Sequence, residues 1–129
     1  YNRQYGTDFR SVMPTNLYGP NDNYDLQNSH VIPALIQKIH QAKVDNKNSL
    51  DIWGSGQAKR EFLYVDELSE AIEFLLDKDT EHDLLNIGSG QEVSIKDLAL
   101  KIQKLVNYEG EIMYDLSKPD GNLSPKRCL

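Results

Sequence analysis

With 129 residues, 39% of them apolar and 26% charged, the chain has the make-up of a soluble globular domain, which excludes wholesale disorder. A net charge of −6 excludes broad nucleic-acid binding, which needs a clustered basic surface, but leaves room for a basic pocket holding a single pyrophosphate. The lone cysteine, Cys128, excludes an intrachain disulfide framework and a cysteine-rich zinc site and makes a reducing, cytoplasmic setting the expectation; no apolar run reaches the roughly 18 residues of a membrane helix.

Tyr1 to Gly6 has neither an initiating Met nor a signal-peptide layout and reads as an entry into the middle of a longer chain. Asp8 to Met13 alternates polar and apolar residues and predicts a strand stopped by Pro14. Asn16 to Asn28, rich in Asn, Asp, Gly and Pro, reads as a functional loop. Val31, Ile32, Leu35, Ile36 and Ile39 recur at helical spacing and predict a helix from about Ser29 to Lys43, with Pro33 tolerated in its first turn. Leu50 to Trp53 reads as a short strand, Gly54-Ser55-Gly56 as a turn, and Glu61 to Val65 as a second extended stretch, with Asp66 placed to cap the next helix. Leu68, Ala71, Ile72, Leu75 and Leu76 give that helix a packing face.

Leu84 to Ile87 reads as a strand closed by Gly88-Ser89-Gly90. Ser94-Ile95-Lys96-Asp97 has the form of a capping box, with Val93 able to staple onto Leu98, and opens a helix reaching about Asn107. Glu111 to Tyr114 reads as a last strand before the polar tail Ser117 to Leu129. Strands alternating with amphipathic helices of a dozen residues are the signature of an α/β arrangement.

Three segments could carry chemistry, and each has a plain structural alternative. Pro14-Thr15-Asn16-Leu17-Tyr18-Gly19-Pro20 follows a strand, where open α/β sheets bind ligands, yet it reads equally as a tight turn. His30 stands at a loop-to-helix junction and can exchange protons near neutral pH; taken alone, an exposed or capping histidine is the commoner case. Trp53-Gly54-Ser55-Gly56 with Arg60 could stack a base and hold a phosphate, or mark a hairpin with Trp53 in the core and Arg60 on the surface. His40 and His82 lack metal-ligand spacing, so no metal site is expected. Gly88-Ser89-Gly90 lacks the third glycine and downstream acid of a dinucleotide fingerprint.

Together these segments resemble the extended short-chain dehydrogenase/reductase family. The loop Pro14 to Pro20, the run Arg60-Glu61-Phe62-Leu63-Tyr64-Val65-Asp66-Glu67-Leu68 after Trp53-Gly54-Ser55-Gly56, the stretch Asn28-Ser29-His30-Val31-Ile32-Pro33-Ala34-Leu35 and the late Ser117-Lys118-Pro119-Asp120-Gly121 carry the resemblance. Within the family they are similar to the epimerase-reductases that make GDP-fucose. The chain then looks like a C-terminal part: the end of a Rossmann-type sheet plus a smaller α/β substrate domain. The resemblance places residues 1–28 at the end of the cofactor-domain sheet and its active-site loop, 29–60 in the substrate domain, 61–83 in a helix returning to the cofactor domain, and 84–129 in a truncated substrate domain.

The resemblance further implies that GDP-4-keto-6-deoxymannose is epimerised at C3 and C5 and reduced at C4 by NADPH, in a cytoplasmic homodimer that engages neither nucleic acid nor membrane. His30 matches the family's acid/base histidine and also borders the cofactor; Pro14, Thr15, Asn16 and Leu17 match positions lining NADP(H); Lys38, Trp53, Arg60 and Asp120 match positions around the GDP-sugar. The family's cofactor glycines, its serine, tyrosine and lysine, and the cysteine partner of the histidine lie upstream of Tyr1, so the chain alone is expected to be inactive. Asn122 to Arg127 departs from the family by being slightly longer. The runner-up readings are another nucleotide-sugar epimerase or dehydratase of the superfamily and a catalytically incomplete nucleotide-sugar binding module.

Overall fold

The computed structural model describes residues 1–26, 28–78, 80 and 82–120. Gly121, Lys126, Arg127 and Cys128, with the rest of the tail after Asp120, lie outside the described residues. In chain order the elements are α1 (Asn2–Tyr5), β1 (Ser11–Pro14), β2 (Asn16–Tyr18), α2 (Val31–Val44), β3 (Ser49–Trp53), β4 (Lys59–Tyr64), α3 (Val65–Leu76), β5 (Leu84–Ile87), β6 (Glu92–Ser94), α4 (Ile95–Val106) and β7 (Glu111–Asp115). They form two compact units, Tyr1–Gly19 with Glu61–Gln91, and Pro20–Arg60 with Glu92–Leu129. The chain passes from the second unit to the first inside β4, between Arg60 and Glu61.

In the first unit β1 pairs with β5 and β2 with β4, both in parallel. The strand expected from Asp8 begins only at Ser11, because the Asn2 side chain takes the ladder's place at Phe9. Its Oδ1 accepts from the Phe9 amide at 2.8 Å and its Nδ2 donates to the Phe9 carbonyl at 2.6 Å. Asn16 to Tyr18, expected as loop, is a strand, in register with Phe62, Leu63 and Tyr64; three residues carry no readable alternation, so pairing decided the matter. Asp66 does not cap α3. The helix already begins at Val65, and the Glu67 carboxylate accepts from the Tyr64 amide at 3.2 Å. The expected packing face of α3 is only partly covered: Leu68, Ala71 and Leu75 are half-buried, while Ile72 is 39% and Leu76 78% exposed.

In the second unit β3 pairs in parallel with β7, Leu50 opposite Ile112 and Ile52 opposite Tyr114. Period-two alternation turns Leu50 and Ile52 into the core, where they meet Leu35, Ile39 and Ala42 of α2, Ala99 and Ile102 of α4, and Tyr108. Ile39 sits at the centre with no exposed surface. The helix expected from Ser29 starts at Val31, with His30 in extended geometry at its N-cap. Pro33 then falls in the first turn, where its missing N–H would have had no helical partner. At α4 the Ser94 hydroxyl accepts from the Asp97 amide at 3.0 Å and donates to the Asp97 carboxylate at 2.6 Å. Asn107 ends the helix in left-handed geometry, φ 55°.

The hairpin alternative at Gly54-Ser55-Gly56 fails, since β3 runs parallel to β7 and β4 parallel to β2. Trp53 is no core residue either, being 67% exposed. Leu84–Ile87, grouped from the sequence with residues 84–129, belongs to the first unit through its pairing with β1.

Candidate functional site

A cavity of about 450 Å³ opens in the second unit. Its floor comes from α2, where Val31, Ala34, Leu35 and Lys38 fall at i, i+3, i+4 and i+7 and so share one face. Ala34 keeps that face low, and Lys38 brings a cation to its far end. Ile52 and Trp53, at the carboxyl end of β3, form a second wall; strand ends of this kind are where α/β sheets take ligands. Arg60, Ile95 and Asp120 complete the lining, with Leu26 and Ser29 at the loop side. Lys38, Trp53, Arg60 and Asp120, singled out in the sequence one by one, thus surround a single cavity.

The turn after β3 shapes the rim. Gly54 and Gly56 have φ of 79° and 74°, a region in which a Cβ is strained. A Cβ on Gly54 would also collide with the Asp120 carboxylate and lie 3.1 Å from its Cα; one on Gly56 would lie 2.7 Å from the Tyr114 ring. Ser55, between them, donates its backbone N–H to Asp120 Oδ1 and its hydroxyl to Asp120 Oδ2, the latter at 2.8 Å. Lys118 Nζ stands 5.6 Å from the centre of the Trp53 ring, within cation–π range. Upstream, Asp115 Oδ1 accepts from the Ser117 amide at 3.0 Å and hydroxyl at 2.6 Å, and these bonds hold the Asp115 carboxyl below its ordinary pKa.

His30 is exposed at the head of α2, between two residues of the cavity wall, Ser29 and Val31, and its carbonyl accepts from the Ala34 amide at 3.0 Å. The Ser29 hydroxyl is buried without a hydrogen-bond partner among the described residues. Sequence reasoning overlooked Ser29, Ala34, Ser55 and Lys118. Ala34 was legible from the helical spacing around Lys38, whereas nothing in the sequence joins Ser55 to a carboxylate 65 positions on.

Pro14, Thr15, Asn16 and Leu17 belong to the first unit, at the carboxyl end of β1 and in β2. Pro14 and Asn16 are exposed, Thr15 and Leu17 half-buried. The Thr15 amide donates to Ile87 O at 3.0 Å and Asn16 Nδ2 to Glu61 O at 2.9 Å. The Glu61 carboxylate reaches the turn after β5, accepting from the Gly90 amide at 2.5 Å. A Cβ on Gly88 would lie 2.8 Å from the Thr15 methyl, so the glycine lets the two strand ends close up. No group of three or more His, Cys, Asp or Glu among the described residues could hold a metal.

A profile of the NAD dependent epimerase/dehydratase family matches residues 1–88. The chain belongs to this family. Within this epimerase/dehydratase family it is 50% identical over 129 residues to a GDP-L-fucose synthase of Sinorhizobium fredii (strain NBRC 101917 / NGR234), a match covering 100% of this chain and 40% of that protein. It is also 50% identical over 129 residues to GDP-L-fucose synthase 1 of Arabidopsis thaliana, covering 100% of this chain and 39% of that protein. Among solved structures, a GDP-L-fucose synthetase from Naegleria fowleri bound to NADP superposes with a TM-score of 0.83 at 30% identity, over 90% of this chain and 36% of that one. The chain therefore spans about 40% of the length of the curated relatives it matches.

Proposed function

We propose that the enzyme carrying this chain epimerises GDP-4-keto-6-deoxymannose at C3 and C5 and reduces it at C4 with NADPH, producing GDP-fucose. The observation that carries this reading is the convergence of Lys38, Trp53, Arg60 and Asp120 on one cavity, in a chain half identical to GDP-L-fucose synthases. A mostly apolar cavity of about 450 Å³ with two cations suits a nucleotide-linked sugar. Lys38 and Arg60 face the pyrophosphate, Arg60 through its planar fork. Trp53 offers its exposed ring as a flat surface, and Asp120 holds a sugar or base donor.

His30 is the acid/base group. Epimerisation beside a ketone removes a carbon-bound proton from one face and returns one to the other, and an exposed imidazole next to the cavity wall is a group able to carry such a proton. The first unit serves the cofactor and the second the sugar nucleotide. Pro14 and Asn16 lie exposed at the carboxyl end of a parallel pair, where Rossmann-type sheets take dinucleotides; with Thr15 and Leu17 they line the nicotinamide end. NADPH, when bound, supplies the hydride for C4. No helix among the described residues is long and apolar enough to cross a membrane, and a cytoplasmic homodimer is part of the proposal.

The test supplies GDP-4-keto-6-deoxymannose and NADPH to the enzyme and follows NADPH oxidation together with the sugar formed. GDP-fucose is the expected product. Intact NADPH binding without NADPH consumption would move the assignment to a redox-neutral epimerase or dehydratase.

A further inference from the structure

We infer that Ser55 is a positioning residue of the sugar-nucleotide cavity, acting through Asp120, an inference that rests on the function proposed above. Both oxygens of the Asp120 carboxylate are engaged by this one residue, Oδ1 by the Ser55 amide and Oδ2 by its hydroxyl. A two-point clamp fixes the rotation of a carboxylate as well as its position, and each oxygen keeps a second lone pair for a ligand. The backbone is built around the contact: Gly54 has φ 79°, and any side chain there would occupy the space of the Asp120 carboxylate. The same stretch is tethered at two further points, by the Ser117 bonds to Asp115 and by Lys118 over the Trp53 ring. The segment from Asp115 to Asp120 thus runs as a strap from the end of β7 to the cavity lining, and Ser55 holds it at Asp120.

A merely structural serine and a positioning serine make different predictions. In the enzyme carrying this chain, Ser55→Ala should raise KM for the GDP-sugar about tenfold, the scale of one hydrogen bond to a charged group, with kcat within about twofold of wild type. Ser55→Thr, which keeps the hydroxyl, should stay within about threefold in KM, and Ser55→Ala should raise KM no further in an Asp120→Ala background. An unchanged KM in Ser55→Ala, or the full tenfold loss in the Asp120→Ala background, overturns the inference. The clamp itself is read without substrate, from thermal unfolding of the two single variants and the double. Asp120→Ala removes both bonds and Ser55→Ala only the hydroxyl's, so a loss in the double equal to that of Asp120→Ala alone is expected, and additive losses overturn the clamp. Absence of wild-type turnover would strike the proposed function instead, and the unfolding cycle would still decide whether Ser55 holds Asp120.

Discussion

The two units solve the burial problem differently. The second places Leu35, Ile39, Ala42, Leu50, Ile52, Ala99, Ile102 and Tyr108 in one core, with two helices packed on a parallel strand pair. In the first, Leu63 is the only buried apolar side chain among the described residues, while Phe9, Met13, Phe74, Leu76 and Leu84 stay more than half exposed. Parallel strands are stable when both their faces are covered, and the pairs β1–β5 and β2–β4 fall short of that by themselves. The lesson is that the cavity proposed for the sugar nucleotide stands on a core of its own, whereas the strand ends proposed for the cofactor rest on a unit whose own packing is thin.

The largest effect that would sharpen this division is chemical. His30→Asn should slow proton exchange at C3 and C5 by about 100- to 10,000-fold, the range of a lost general acid/base, while NADPH affinity stays within about twofold. Deuterium wash-in followed by NMR, beside a cofactor titration, measures both, and a parallel loss of NADPH binding would break the assignment of His30. Next comes the core. Ile39→Ala should destabilise by about 2–5 kcal/mol, since Ile39 is fully enclosed, against less than about 1 kcal/mol for Ile72→Ala on the half-covered face of α3. Urea unfolding of both variants reads the contrast, and equal losses would contradict it.

A smaller contrast sets two glycines of similar geometry against each other. Gly54→Ala and Gly90→Ala share the strain of φ 79° and 71°, about 1–2 kcal/mol. Only Gly54 has Asp120 in the way, whereas nothing lies within 4 Å of a Cβ on Gly90. GDP affinity by calorimetry should therefore fall with Gly54→Ala and hold with Gly90→Ala. The smallest effect is acid sensitivity of the strap. The Asp115 carboxyl is held below its ordinary value of 3.8 by the Ser117 hydroxyl and amide, so its contribution to stability is present above that value and lost as pH falls through the lower, folded one. Acid unfolding followed by circular dichroism should show Ser117→Ala with a weaker pH dependence below about pH 4, because the unfolded carboxyl titrates there.

The sequence by itself determined the α/β class and most elements. Helical spacing marked α2, short apolar runs ended by glycine turns marked β3 and β5, and Ser94 with Asp97 marked the start of α4, because each of these signals arises from neighbours a few residues apart. It also singled out Lys38, Trp53, Arg60 and Asp120 of the cavity lining through their resemblance to family motifs. Tertiary structure decided what depends on distant partners. It made Asn16–Tyr18 a strand by pairing with β4, delayed β1 by satisfying Phe9 with the Asn2 side chain, and turned Trp53 outward where a hairpin would have buried it. It alone brought Asp120 onto Ser55, since a carboxylate finds its donors by position in space, and a gap of 65 residues leaves no periodic trace in the chain.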